Sequence, residues 1–243
     1  MPSAPTHVAV SCDGLTLSVG VEVNDLPHIY FYDVRAFAGG AENVSPFQEV
    51  SVKLSMCSQR SSLAQYHKKF FRAPCGFMLK TCLIQALSGV ITGPGSRIVE
   101  FAWNPVLASM LAVVFSNGSA ALYMVDAVDG SKAPDCCTIP AASGVTCVSW
   151  SPKGKQLVAG KADGTLTQYK PDLKEAKTIP AAVASPVLSI LWISTYQFLT
   201  AVKSSADPDS RPGLILVQSS KSGETSFTNY DDVNYRFSDL MYL

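Results

Sequence analysis

The chain has 243 residues, of which 47% are hydrophobic and 16% are charged, with 19 basic and 19 acidic residues. This composition indicates a folded globular domain and excludes an intrinsically disordered chain. The equal numbers of basic and acidic residues exclude an overall basic excess that would direct the whole chain to nucleic acid or anionic lipid.

The cysteines and the first residues indicate the compartment. Seven cysteines are present without paired metal-like spacing, and the start MPSAPTHVAV lacks the charged and apolar regions of a secretory signal peptide. We therefore expect reduced thiols in the cytoplasm or nucleus and no disulfide bonds. No uninterrupted apolar run reaches the roughly 18 residues of a membrane helix, so we expect no membrane insertion.

The segment 1–49 predicts a first group of strands. Residues 7–11 alternate in polarity, Asp13-Gly14 supplies a tight turn, and two more strands are predicted at 15–23 and 28–34.

The segment 50–97 departs from this pattern, because it shows no alternation punctuated by turns and contains no acidic residue. Three interpretations remain open. The segment could be a functional basic loop that contacts RNA through its interleaved aromatic residues, or a degenerate copy of the strand group predicted in 1–49, that is, a degenerate blade. It could also be an insertion foreign to the fold, such as a retained intron or an alternative exon. Cys57, His67, Cys75 and Cys82 have no recognised metal spacing, so no zinc site is predicted. The aromatic residues are Tyr66, Phe70 and Phe71, and the basic ones are Lys53, Arg60, Lys68, Lys69, Arg72, Lys80 and Arg97.

The segment 98–243 predicts three further copies of one unit, the last of them incomplete. The second copy has strands at 98–103, 110–115 and 119–125, with turns at Asn104-Pro105 and Asn117-Gly118. The fourth has strands at 187–192, 196–202 and 213–218.

The third copy is the clearest. A strand at 145–150, apolar on both faces and therefore buried, is followed by the turn Ser151-Pro152-Lys153-Gly154 and a strand at 156–161. The hairpin Asp163-Gly164 leads to residues 165–170, which alternate like an exposed third strand. A fourth strand is possible at Thr178, where TIPAA repeats the TIPAA at Thr138.

Three tryptophans mark the period of the repeat. Trp103, Trp150 and Trp192 end the first strand of their units at about the 40–45-residue spacing of four-stranded propeller blades. The sequence thus predicts an all-β protein, a WD-like β-propeller with about four visible blades. We interpret the tryptophans as core residues, and Asn117-Gly118 and Asp163-Gly164 as turn formers.

The sequence carries no catalytic signature. The only histidines are His7, His28 and His67, while Ser11 and Ser151 lie in repeat turns without the context of a nucleophile elbow. No Walker loop or GxGxxG motif occurs. We predict no enzyme, no cofactor and no metal; His28 and Asp33 are the residues to mutate if turnover were detected.

Several stretches together resemble the amino-terminal propeller of the cytoplasmic-face FG nucleoporin family CAN. They are SCDGLTLSV with IYFYDVRAF, FAWNP with ASMLAV, and VSWSPKGKQLVAGKADGTLTQY with LWISTYQF. The resemblance covers about 7–35 and 98–197 and omits the basic segment.

This resemblance implies a seven-bladed propeller, here incomplete, on the cytoplasmic face of the nuclear pore complex. It implies a docking platform for a DEAD-box RNA helicase of messenger RNA export, in which propeller and RNA compete for the helicase, with other nucleoporins as further partners. If this chain is produced without the family's anchoring tail, we expect it to be soluble in the cytoplasm or nucleus. The family's helicase contacts lie chiefly on later blades, so the resemblance assigns no partner-binding residue to a position of this sequence.

The propeller interpretation leaves other functions open. The alternatives are a generic WD-like scaffold outside the pore and RNA contact through the basic segment, although direct nucleic-acid binding is not our expectation. An open arc of blades exposes sheet faces, so we expect the isolated chain to be marginally stable or to self-associate.

Overall fold

The computed structural model of the chain describes residues 4–38, 44–46, 48–51, 84–86, 96–125, 135–202, 213–220 and 223–229. These residues form four sheets, each built from strands that neighbour one another in the order of the sequence. All paired strands are antiparallel except β4 and β5 of the first sheet, which are parallel. The predicted all-β propeller architecture is confirmed, and the four predicted copies correspond to the four sheets.

The strands have the following bounds. Sheet 1 contains β1 (Pro5–Val10), β2 (Thr16–Val23), β3 (Leu26–Asp33), β4 (Gln48–Ser51) and β5 (Ile84–Ala86), with the short helix α1 (Arg35–Ala38) after β3. Sheet 2 contains β6 (Ile98–Trp103), β7 (Met110–Phe115), β8 (Ala120–Met124) and β9 (Asp135–Ile139). Sheet 3 contains β10 (Val145–Trp150), β11 (Leu157–Lys161), β12 (Leu166–Tyr169) and β13 (Glu175–Ile179). Sheet 4 contains β14 (Val187–Ser194), β15 (Gln197–Val202), β16 (Gly213–Ser219) and β17 (Thr225–Asn229).

Three apolar layers hold the four sheets together. The first layer, between sheets 1 and 2, includes Phe31 and Leu111. The second, between sheets 2 and 3, includes Leu122 and Leu157, and the third, between sheets 3 and 4, includes Val158. Since sheets 2 and 3 are covered on both faces, their strands β7 and β11 are apolar along nearly their whole length rather than alternating.

This covering explains one wrong prediction. We expected an exposed third strand at 165–170, because its polar and apolar residues alternate. In the structure β12 is buried throughout, and even Thr167 is fully buried. The two neighbouring sheets cover both of its faces, so the polar residues are enclosed together with the apolar ones.

The tryptophans join neighbouring sheets. Trp150 and Trp192 are each only 7% exposed, and Trp103 is half-buried. Each indole N–H donates a hydrogen bond to the preceding sheet: Trp103 to Ser18 Oγ at 3.1 Å, Trp150 to the Ala102 carbonyl at 2.9 Å, and Trp192 to the Ser149 carbonyl at 3.3 Å. They are therefore core residues, as predicted, and also polar links between sheets.

A second link lies where first strands approach each other. The Thr146 hydroxyl donates to the Val187 carbonyl of sheet 4 at 2.5 Å and also lies 3.1 Å from the Gly160 carbonyl of its own sheet. A Cβ on Gly160 would lie 2.8 Å from Val187 Cβ, so glycine is what permits this close approach.

Several sequence-based proposals concern residues that the structure does not describe. Of the segment 50–97, it describes only 50–51, 84–86 and 96–97. Cys57, His67, Cys75 and Cys82, for which no zinc site was predicted, lie outside the described residues. So do Tyr66, Phe70 and Phe71, the possible RNA contacts, and all the basic residues of that segment except Arg97. In the described part of the chain, no helix has the length and apolar character needed to cross a membrane.

Candidate functional site

The turns between the first and second strands of the sheets lie together at one end of the fold. In sheets 1 and 3 a buried serine holds this turn: Ser11 Oγ accepts a hydrogen bond from the Thr16 amide at 3.0 Å, and Ser151 Oγ accepts one from the Gln156 amide at 3.1 Å. The two serines thus have the same structural role, which fixes the shape of these turns.

Asn104 occupies, in the β6–β7 turn of sheet 2, the position that Ser11 and Ser151 occupy in their turns, and it also contacts sheet 3. Its Oδ1 accepts hydrogen bonds from the Val106 and Leu107 amides at 2.9 Å, and its Nδ2 donates to the Gly154 carbonyl at 2.9 Å. Asn104 is fully buried, so these bonds are shielded from water. The turn at Lys153 is thereby held from the side of sheet 2.

The turns at the opposite end form a second series. Asp163 Oδ1 accepts hydrogen bonds from the Thr165 amide at 2.9 Å and hydroxyl at 2.7 Å, and these bonds hold the pKa of the Asp163 carboxyl below its usual value. Asn117 makes the same pair of bonds to Ser119. Asn117-Gly118 and Asp163-Gly164 are therefore turn formers, as predicted, and the glycine of each dipeptide has a positive φ.

The structure does not bring the possible catalytic residues together. His7 packs against Phe101, and His28 stacks on Tyr30 in the same sheet. The Asp33 carboxylate is held by the Arg35 guanidinium at 2.7 Å. The hydrogen bonds of Ser11 and Ser151 described here go to the Asp13 carboxylate and to backbone amides, not to a histidine.

The buried thiols are in an unreactive environment. Burial raises the pKa of the Cys147 thiol, and of the Cys136 thiol, to about 12. Both therefore remain protonated at neutral pH and are poor nucleophiles. Cys12, Cys136, Cys137 and Cys147 are free thiols, and the described residues contain no group of three or more side chains able to hold a metal ion.

A cleft of about 350 Å³ lies between sheets 3 and 4, at the end of the fold where Lys153 is found. Its floor is apolar: Trp192 and Phe198 are 7% and 1% exposed, and their ring centroids are 5.1 Å apart. Its rim is polar and basic, with Lys153 and Lys155 from the β10–β11 turn, Lys177 from β13, and the half-exposed Tyr196. We call this the lysine cleft.

The three lysines of the cleft differ in their contacts. Lys177 Nζ donates to the Gly223 carbonyl at 2.7 Å and to Thr225 Oγ at 2.8 Å, so it links sheet 3 to sheet 4 across the cleft. The side chains of Lys153 and Lys155 are exposed and contact no carboxylate within the described residues. Among the described residues, the lining of the cleft contains no acidic side chain, which makes the cleft a local basic site on a chain of zero net charge.

A second groove of about 810 Å³ adjoins the lysine cleft at the end of sheet 4 where the β14–β15 and β16–β17 turns lie. The two share Tyr196, Ser219 and Ser220. The described residues of the groove's lining carry hydroxyl and amide side chains and the Glu224 carboxylate. The cleft is basic and faces sheet 3, whereas the groove is mainly neutral and extends onto the face of sheet 4 opposite Phe198, where Gln197 pairs with Gln218.

Sequence reasoning missed the cleft and the groove. The stretch SPKGKQ shows two lysines in one turn, which was the available signal, but we interpreted it only as a turn. The aromatic floor lies about forty residues further along the chain, and Trp192 was interpreted as a core residue only.

A protein-family model described as the NUP159/214 beta propeller matches residues 85–240, which is more than half of the chain. The match includes sheets 2, 3 and 4 and begins inside the segment that we considered a possible insertion.

Curated relatives carry nuclear pore names. The chain is 33% identical to the nuclear pore complex protein Nup214 of Homo sapiens over 79% of its own length and 8% of that protein. It is 39% identical to Nup214 of Drosophila melanogaster over 56% of the chain and 8% of that protein. It is 34% identical to nucleoporin NUP159 of Chaetomium thermophilum over 55% of the chain and 10% of that protein. The chain therefore spans about a tenth or less of the length of these relatives.

A solved structure supports the fold alone. The β-propeller domain of Cps50 (Swd1) from Myceliophteria thermophila superimposes with a TM-score of 0.51 over 92% of this chain and 58% of that chain, at 10% sequence identity.

Proposed function

The chain belongs to the nucleoporin family described as the NUP159/214 beta propeller, and we propose that it is a protein-docking platform of the nuclear pore complex. The observation that carries this proposal is the family match over residues 85–240, in which three four-stranded sheets stand side by side. We further propose the cytoplasmic face of the nuclear envelope as its location.

The proposed mechanism is the rigid presentation of turns to a partner. The tryptophan N–H bonds and the Asn104–Gly154 bond tie neighbouring sheets together, and Thr146 adds a further tie. Turns fixed in this way lose little conformational entropy when a partner binds, so more of the contact energy is available as affinity.

The partner that we propose is a DEAD-box RNA helicase of messenger RNA export, together with other nucleoporins. In this proposal the propeller and RNA compete for the helicase, so that docking at the pore favours release of the transcript. No residue of this chain is assigned to that contact.

A binding experiment tests the helicase proposal. The purified 243-residue chain is added to the helicase and to a fluorescent RNA oligonucleotide bound to it, and RNA release is followed by fluorescence anisotropy. We expect the chain to displace the RNA from the helicase. Direct, salt-sensitive binding of the RNA by the chain would instead support the basic-segment alternative.

A cellular experiment tests the location. The gene is tagged at its own locus, and the distribution of the product is compared with that of the tagged Cps50 (Swd1) propeller, which has the same fold at 10% identity. We expect a nuclear rim signal and recovery of pore components with the tagged chain only. Equal distributions and equal partners would support a generic scaffold outside the pore.

A further inference from the structure

The lysine cleft and its adjoining groove have the features of a peptide-binding surface. Trp192 and Phe198 form a floor that an apolar side chain can contact, while Lys153 and Lys155 stand free at the rim. Such a combination of an apolar floor and a few charged groups is typical of sites in which the floor supplies affinity and the charges supply orientation.

We propose that the lysine cleft binds an acidic peptide segment of a partner protein, with an apolar or aromatic side chain of the peptide seated beside Tyr196. Two free ammonium groups face no carboxylate among the described residues, so charge complementarity requires carboxylates from the ligand. The proposal rests on the proposed docking function and names the chemistry of one partner segment.

The adjoining groove determines which end of a bound segment is acidic. A segment that leaves the cleft past Tyr196 and Ser219 enters the groove at the turn end of sheet 4, where the described lining is neutral and hydroxyl-rich and includes Glu224. Carboxylates of the peptide therefore belong at the lysine end, and uncharged polar residues at the groove end. A peptide acidic along its whole length would bring a carboxylate against Glu224 and gain less from the same lysines.

Single-stranded RNA is the other polyanion that lysines beside aromatic residues could bind. Binding of bases depends on stacking against accessible aromatic faces. Trp192 and Phe198 are almost completely buried, and among the described residues that line the cleft Tyr196 is the one half-exposed ring. A protein segment with one apolar anchor fits this arrangement better than a run of bases does.

Two variants of the lysine cleft and one control variant outside it test the proposal. Lys153→Glu with Lys155→Glu reverses the free charges, and Tyr196→Ala removes the proposed anchor contact; all three side chains are exposed, so the fold should tolerate the changes. Lys170→Glu is the control, because Lys170 is an exposed lysine in the β12–β13 turn of the same sheet and does not line the cleft. Circular dichroism establishes that each variant is folded.

Fluorescence anisotropy measures binding of the full chain to a fluorescein-labelled synthetic peptide that has glutamates at one end, a central phenylalanine and serines at the other end. Loss of two charge contacts should weaken binding by about tenfold or more. Tyr196→Ala should weaken it by about fivefold to tenfold, and Lys170→Glu should leave it unchanged within about twofold. Raising the salt concentration should weaken the wild-type complex.

Three results would overturn the proposal. The first is that the folded wild-type chain does not bind the peptide. The second is that Lys170→Glu weakens peptide binding as much as the cleft variants do. The third is that a labelled oligouridine binds more tightly than the peptide and displaces it from the same lysines. The folded double variant is also tested in the helicase and pore-recovery experiments. If it retains pore components while losing the peptide, the docking function stands without this site; if both wild-type assays fail, the docking function fails as well.

Discussion

The hairpin glycines provide a test of how the sheets are joined. Gly164, in the β11–β12 turn of sheet 3, has a φ of +87°, and a Cβ at this position would overlap the Val183 carbonyl in the connection to sheet 4. Gly14, in sheet 1, has a similar φ of +72°, but a Cβ there would meet nothing within 4 Å. Both glycines thus have the positive φ that disfavours other residues, but only Gly164 packs closely against the connection to the neighbouring sheet.

The expected effects follow from this difference. A non-glycine residue in the left-handed region costs roughly 1–2 kcal/mol, so Gly14→Ala should lower the free energy of unfolding by about that amount. Gly164→Ala adds displacement of a packed backbone carbonyl, which costs a further 1–3 kcal/mol or so. Gly118→Ala should fall between them, because its Cβ would lie 3.0 Å from the Ala141 carbonyl oxygen.

Urea unfolding followed by tryptophan fluorescence measures these differences. With a slope of about 2 kcal/mol per M, an excess loss of about 2 kcal/mol lowers the midpoint of Gly164→Ala by roughly 1 M relative to Gly14→Ala. Hydrogen exchange should show the additional loss of protection in sheets 3 and 4. Equal midpoints for the two variants would refute the view that the hairpin glycine is required for close contact between sheets.

Three further predictions follow. Trp150→Phe and Trp192→Phe should each lower the free energy of unfolding by about 1 kcal/mol or more in the same urea assay, because each removes an indole N–H bond to the neighbouring sheet and leaves its carbonyl acceptor unpaired; no loss in either variant would contradict it. Cys147, whose pKa burial raises to about 12, should be labelled by iodoacetamide at pH 8 much more slowly than the exposed Cys12, because its thiol is buried and stays protonated; equal labelling in peptide mass spectrometry would refute this. The isolated chain should self-associate in sedimentation velocity, and Val8→Lys with Ile193→Lys should reduce this, since these side chains are 59% and 43% exposed; a cooperatively melting, monodisperse wild-type monomer would be the contrary result.

The two sheet faces behind the self-association prediction are defined by strand register. In sheet 1, Val8 pairs with Val19 and Val19 with Tyr30, so these three lie on one face, while Phe31 on the opposite face packs against sheet 2. In sheet 4 the corresponding row of cross-strand neighbours on one face is formed by Leu191, Leu199 and Leu216. Both rows are apolar faces that no described sheet covers, and apolar faces of this kind promote association.

Much of the strand pattern could be predicted because its signals are local. The strands Ile98–Trp103, Met110–Phe115 and Val145–Trp150 have the predicted bounds, since alternation and turn residues lie within a few positions of one another. The strand Thr225–Asn229 was not singled out, because it is an exposed edge strand whose polar residues give no apolar alternation.

The features that depend on distant residues could not be predicted. The Trp150 N–H reaches a carbonyl 48 positions earlier in the chain, and the burial of Thr167 depends on sheets that flank its own. The lysine cleft combines a turn at Lys153 with an aromatic floor at Trp192 and a β16–β17 turn at Gly223. None of these three stretches alone carries the pattern of a binding site.

The shape of the lysine cleft depends on contacts from three sheets. The turn that carries Lys153 and Lys155 is held from sheet 2 by the Asn104–Gly154 bond. The opposite side of the cleft is held by Lys177, which bonds to the β16–β17 turn of sheet 4. A change in the packing of any of these sheets would therefore move the free lysines relative to the aromatic floor. Since the spacing of charge and anchor determines which peptide fits, the contacts between sheets set the specificity of the cleft as well as the stability of the fold.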